Sequence, residues 1–408
     1  MTNKKLNVVN VPNLRFPGFE GEWEVRKLGE VAKVSSGGTP NRSIASYWNG
    51  NIPWVSTSLI NFNLIDTVDE YITEEGLNNS SAKLFPIGTL LIAMYGQGKT
   101  RGKVAILNIE ATTNQACGAI SIEENILNPL FAFQNFSKRY NEIRDLSNQG
   151  GQENLSAGII KGIEISFPKI LEQKKITSFL SLLDERIQTQ NKIIEELKSL
   201  KNTLSKKIFS RQLRFKNTNG NNFSEWETKK LKNMLSIPDK IKPTFIDKNK
   251  LITVKLHLQG VLKNENTETL SIGATNYLVR KKGQFIYGKQ NLFNGAFGII
   301  PNELDGFLSS GDVPSLDINH LKINALFLLN FLGRKHFYKQ LENIATGSGS
   351  KRIHEETLLN IEIEIPSIEE QEKISNLFSA IDSKINIEIA FLKKLESQKK
   401  YLLDNLFI

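Results

Sequence analysis

Cysteine is nearly absent from this 408-residue chain; Cys117 is the only one. A single thiol excludes an intrachain disulfide and any metal site built on several cysteines. It fits a reducing compartment, and a cytoplasmic location is expected. Histidine is also scarce. His257, His320, His336 and His354 are scattered without metal-ligand spacing, so no metal site is expected. No run of about 18 apolar residues occurs, which excludes a spanning helix of ordinary length. Met1 to Pro12 lacks the apolar stretch of a secretory leader. Serine elbows, paired-carboxylate motifs and nuclease-like acidic clusters are missing too, so the chain reads as non-catalytic, with no cofactor of its own.

What is present is apolar material and positive charge. Apolar residues make up 39% of the chain, enough for packed cores. Lysine and arginine outnumber aspartate and glutamate by 52 to 43, giving a net charge of +9. Such a surplus favours an acidic partner, either a nucleic acid or an anionic surface.

The strongest signal is a repeat. Residues 168–210 and 366–408 align without a gap, 198 positions apart, with 14 identities in 43. Pro168, Gln173, Ile176, Asp184, Leu197, Lys201, Leu204 and Phe209 recur as Pro366, Gln371, Ile374, Asp382, Leu395, Lys399, Leu402 and Phe407. The echo reaches further. Leu14-Arg15-Phe16 with Glu22-Trp23-Glu24 returns as Leu213-Arg214-Phe215 with Glu225-Trp226-Glu227. The chain is therefore two copies of one plan, and such a molecule usually faces a partner that is itself repeated.

Both repeated segments carry a heptad pattern. In the first, Ile176, Leu180, Leu183, Ile187, Ile194, Leu197 and Leu204 form the stripe. In the second it is Ile374, Phe378, Ile381, Ile385, Leu392, Leu395 and Leu402. A narrow stripe of this kind buries against another helix. Its polar lapses coincide, Gln190 with Glu388 and Lys201 with Lys399, so the two helices are expected to pair with each other as an antiparallel coiled coil. About 33 helical residues span ~50 Å, the length of a spacer.

The intervening modules read as mixed α+β. Leu90-Leu91-Ile92-Ala93 and Val104-Ala105-Ile106-Leu107 are strand-like, and Asn128-Pro129 and Asn324-Ala325 look like helix starts. Ala93 to Thr100 resembles a relaxed phosphate-binding loop, but a second strand follows it where that loop requires a helix. A hairpin tip is the better assignment. Its Gln97, Lys99 and Arg101 suit a DNA groove, where Gln and Arg contact base edges. Further DNA-compatible positions are Thr39 and Arg42, then Gln152 and Asn154. The second module offers Lys289, Gln290 and Asn291, and Ser350, Lys351 and Arg352.

Taken together, the duplicated Pro-x-x-x-x-Gln-x-x-Ile units and the Glu-Trp module starts resemble the specificity subunits of type I restriction-modification systems. Ser36-Gly37-Gly38-Thr39-Pro40, Thr113-Asn114-Gln115-Ala116 and Asn294-Gly295-Ala296-Phe297-Gly298 add to the likeness, which covers nearly the whole chain. The resemblance implies target recognition domains at 1–167 and 213–365, and helical spacers at 168–212 and 366–408. It implies that each recognition domain reads one half of a bipartite site on double-stranded DNA. The spacers would set the gap and dock two modification subunits that carry S-adenosylmethionine and methylate adenine. Restriction subunits using ATP and Mg would complete the complex, with one copy of this chain and no membrane partner.

Three rival readings stand beside it. A stand-alone sequence-specific DNA-binding regulator would need no methyltransferase. A phosphate-loop NTPase would bind nucleotide through Lys99. A protein scaffold would use its helices without touching DNA.

Overall fold

The computed structural model describes residues 10–96, 99–147, 154–265, 275–347 and 349–408. Its backbone divides into two compact units. One runs to Asn191 and includes Ala390–Ile408; the other is Lys192–Ile389. Each unit contains one variable module and a share of both repeated helices.

Those helices span Ile170–Phe209 and Ile368–Leu406. Neither contains glycine or proline, and Leu, Ile, Glu and Lys dominate both, so nothing interrupts the backbone ladder over about 60 Å. Each follows a strand, Glu164–Phe167 or Glu362–Ile365, with Pro168 or Pro366 at the turn. Proline lacks the donor that a ladder needs, and its fixed φ suits a helix entry.

In the first unit Ile176 and Leu180 are buried in one cluster with Leu406 and Phe407, and Leu402 packs against it. Further along, Asp184 meets Lys399. Moving up one helix moves down the other, so the pairing is antiparallel. The second unit repeats this: Ile208 clusters with Ile374 and Phe378, and Lys201 meets Asp382. Leu183, Ile194, Ile381, Ile385 and Leu395 are buried as the heptads require, while Ile187, Leu197, Leu204, Leu392 and Leu402 are half-buried.

The first module is built on a five-stranded sheet ordered Ala32–Ser36, Cys117–Ile122, Leu90–Ala93, Val104–Leu107, Asn63–Ile65. Side chains alternate along a strand. Leu90 and Ile92 accordingly enter the core beneath the helix Pro129–Lys138, and Leu91 and Ala93 enter a second core on the opposite face. Both faces are covered, which is why these strands are apolar runs rather than alternating ones. A four-stranded sheet of Glu70–Ile72, Trp48–Val55, Ala111–Thr113 and Leu84–Phe85 lies in the same module.

The second module has a four-stranded sheet ordered Leu235–Ser236, Ser315–Ile318, Phe285–Tyr287, Phe297–Ile299. Phe285 and Tyr287 face a core with Phe327 and Phe331, whereas Ile286 faces a smaller cluster with Val261 and Ile300. The architecture is thus mixed α and β in both modules. Each module is tied to its helix by one antiparallel strand pair, Glu24–Lys27 with Glu164–Phe167, or Glu227–Lys230 with Glu362–Ile365.

Candidate nucleic-acid interface

The two modules share one order of four sheet strands, the first adding a fifth strand and each carrying different smaller sheets, and both are mounted on the helices by the same contacts. Gln173 is fully buried at the start of the first helix. Its Oε1 accepts from Asn128 N at 2.7 Å, and its Nε2 donates to Ile126 O at 2.9 Å and Pro168 O at 2.8 Å. Gln371 repeats all three contacts with Asn324 N, Lys322 O and Pro366 O at 2.9, 3.5 and 2.9 Å. Asn128 and Asn324 in turn cap the module helices Pro129–Lys138 and Ala325–Leu332. One amide therefore fixes both the helix entry and the module helix, with no polar atom left unmet.

Arg15 adds a two-point contact to buried Glu172, at 2.8 Å from Nε and 2.8 Å from Nη2, and Arg214 does the same to buried Glu370 at 3.2 and 2.9 Å. Hydrogen bonding to these carboxylates raises both arginines above their ordinary pKa. Trp23 packs on Phe131 and Phe407, and Trp226 packs on Phe327 and Phe209. Leu14 N reaches Asn405 O at 2.9 Å, as Leu213 N reaches Lys207 O at 3.0 Å. Each module is thus closed by the far end of one helix and the near end of the other.

Loops held by this frame present polar and aromatic groups. In the first module, Gly37 and Gly38 allow a close backbone approach: a Cβ would meet Thr113 O at 2.1 Å or Ser81 Oγ at 2.2 Å. Trp54 Nε1 donates to Gly38 O at 3.0 Å, and Thr39 Oγ1 donates to Gln115 Oε1 at 2.6 Å. Arg42 lies 3.8 Å over the Trp48 ring and is paired with Glu70, whose carboxyl it holds below the usual range. A second group forms around Phe62, which is exposed and adopts a left-handed φ of 55°. Tyr140 stacks edge-on against it, and Lys103 donates to Asn61 Oδ1 at 2.7 Å beside it. Tyr140 OH also donates to Lys99 O at 2.7 Å.

In the second module, residues far apart in sequence converge. Ile353 N donates to Lys289 O, and Lys289 N to Asp312 O, both at 2.9 Å. Lys289 pairs with Glu355 at 3.0 Å, Arg352 with Asp312 at 3.1 Å, and Lys351 with Glu342 at 2.9 Å. Gln290, with its amide oxygen turned towards Arg352, accepts from Nη2 at 2.8 Å and Nε at 3.2 Å. Asn291 is exposed at a turn and accepts from Asn294 Nδ2 at 3.2 Å.

Two modules on one repeated frame match a known family. The family model for the type I restriction modification DNA specificity domain matches residues 20–199 and again 223–397. The chain belongs to that family. Among curated relatives of this specificity chain, the MjaVIII specificity subunit of Methanocaldococcus jannaschii is 24% identical, across 98% of this chain and 95% of its own length. The MjaIX specificity subunit of the same organism is 31% identical over 183 residues, 43% of this chain and 42% of that one. The EcoR124I/EcoR124II specificity subunit of Escherichia coli is 32% identical over 189 residues, 45% and 46% respectively. The chain thus spans less than half the length of these last two relatives in the matched region. The crystal structure of the S subunit from M. genitalium shares the fold, with a TM-score of 0.61 at 16% identity over 98% of this chain and 99% of that one.

Placed on the specificity chain, the residues expected to contact DNA fall into several groups. Arg42, Lys99, Asn291, Ser350 and Lys351 are exposed, and Thr39, Lys289, Arg352 and Asn154 are partly buried. Gln97 and Gln152 lie outside the described residues. Arg101 requires a correction. It is 6% exposed rather than displayed at a tip. The strands Leu90–Ala93 and Val104–Leu107 do form a hairpin. Next to Arg101, Gly102, at φ 84°, packs so closely that a Cβ there would lie 3.2 Å from Arg144 Cβ. Lys103, Phe62 and Tyr140 come from three segments, so the sequence does not show that they gather. Phe245, 76% exposed on a lysine-rich loop, carried a readable signal, a large aromatic among charges.

Proposed function

We propose that this chain is the DNA-reading component of a type I restriction-modification complex, with one recognition domain at 1–167 and another at 213–365. Each domain reads one half of a bipartite target in double-stranded DNA. The observation that carries this reading is the repeated mounting: Gln173 and Gln371, with Arg15–Glu172 and Arg214–Glu370, hold two modules of divergent sequence in the same way. A constant frame with exchanged interiors suits one task performed on two sequences. The chain's surplus of positive charge supports phosphate contacts, and the arginine and glutamine groups support base contacts.

The helical segments 168–212 and 366–408 act as spacers that set the gap between half-sites. They dock two modification subunits, which carry S-adenosylmethionine and methylate adenine. Restriction subunits with ATP and Mg join that core. The chain works as a single copy in the cytoplasm and contributes no catalytic group. Nothing favours a stand-alone regulator.

The test is a genome-wide map of methylated adenine with the gene intact and deleted. A gapped two-part motif that vanishes on deletion is the expected result. Identical maps, in cells where the modification subunit is expressed and co-purifies, would refute the reading.

A further inference from the structure

A cavity of about 270 Å³ opens in the second module beside the Lys289–Arg352 group. Lys240, Lys242, Arg280 and Lys289 line it, four cationic groups beside the carboxylates of Asp239 and Glu355. Glu355 is already paired with Lys289 at 3.0 Å.

Arg280 is the unusual member. It is 3% exposed, and its guanidinium donates only to hydroxyls and carbonyls: Ser309 Oγ at 2.6 Å, Ser315 Oγ at 3.2 Å, Val313 O at 3.1 Å and Ser310 O at 3.4 Å. No carboxylate bonds to it among the described residues. Burial lowers its pKa to about 10, so it remains a cation at neutral pH. Glu355, in the same cavity, acts on it only at a distance and is itself bonded to Lys289; an anion bonded directly to this buried cation would stabilise it further. Four bonds leave one of the five guanidinium N–H groups for a ligand. Lys240 and Lys242 are exposed and have no ion-pair partner among the described residues. Their loop is fastened to the sheet region by Val279 N to Ile241 O at 2.9 Å. Several cationic donors brought from separate segments suit a tetrahedral anion with several acceptor oxygens better than a planar carboxylate.

We propose that this cavity is a phosphate site and that its occupant in function is one backbone phosphodiester of the DNA target. The choice of DNA as the source rests on the proposed function; the phosphate chemistry does not. Arg280 then serves two ends, pinning the Ser309–Ser315 turn and neutralising the phosphate that Lys240 and Lys242 draw in.

Two measurements on the full-length chain test this. The first follows thermal unfolding in inorganic phosphate against chloride at equal ionic strength. It compares wild type with Arg280→Gln and, since that variant also loses the turn contacts, with Lys240→Ala/Lys242→Ala on the exposed loop. The second measures DNA affinity against salt for wild type and the double-lysine variant. Phosphate raising Tm in wild type but not in the loop variant supports the site for free phosphate. No such rise, with a log–log salt slope shallower by about 0.9 per lost contact in the variant, supports a site that takes the phosphodiester alone. Equal behaviour of wild type and loop variant in both measurements overturns the proposal. If wild type binds no DNA at any salt, the proposed function falls, and the thermal measurement alone decides the cavity.

Discussion

Lys201 Nζ lies 2.6 and 2.7 Å from the two carboxylate oxygens of Asp382, across the helix pair of the second unit. Lys399 and Asp184 make the same contact at 2.5 Å in the first unit. The lysines that interrupt the heptads are thus the seam's ion pairs, and each fixes the register of its own helix pair, a role known for polar residues at such positions.

Charge reversal tests that role. Lys201→Glu alone places like charges together and should cost about 1 kcal/mol, a modest figure because the pair is partly exposed. Lys201→Glu with Asp382→Lys should restore most of the loss. Urea unfolding of the four-member cycle measures the coupling.

Gln173→Ala should cost much more. It strands Asn128 N, Ile126 O and Pro168 O in a buried place, each at about 1–3 kcal/mol. Gln371→Ala should weaken the second unit similarly. Hydrogen exchange should show the loosening confined to the unit that carries the change; uniform loosening would count against independent mounting.

Lengthening the spacer probes the ruler. Four residues inserted into each long helix, so that the antiparallel register of both units survives, add about 6 Å of rod. The methylated motif should keep both half-sites and widen its gap. An active complex with an unchanged gap would remove the spacer role.

Cys117 should be inert in the folded chain. Burial pushes its thiol up to about 11 from an ordinary 9, so the neutral form is favoured by folding. The associated stability, about 2–3 kcal/mol at 1.36 kcal/mol per pK unit, is complete below pH 9 and drains away as pH rises towards 11. Reaction with a thiol reagent at pH 8 should therefore run no faster than unfolding.

What sequence reveals here follows from the range of each interaction. The long helices and their stripes are legible because a heptad is a local repeat, and the duplication pairs Ile176 with Ile374 and Phe209 with Phe407 by simple alignment. The strand Leu90–Ala93 is legible as an apolar run, but not that its alternate residues feed two different cores. The hairpin is legible, but not that Lys99 is exposed while Arg101, beside closely packed Gly102, is buried.

The amino-acid sequence by itself determined the doubling, the helix positions and the polar lapses in their stripes, because these are patterns of neighbouring residues. Tertiary structure alone decided that Trp23 rests on Phe407 from the far end of the chain, that Arg42 is tied to Glu70, and that Arg280 is buried beside a cavity, bonded to hydroxyls and carbonyls rather than to a carboxylate. Those contacts join segments with no shared period, and only the folding of the backbone brings such charges and rings within range.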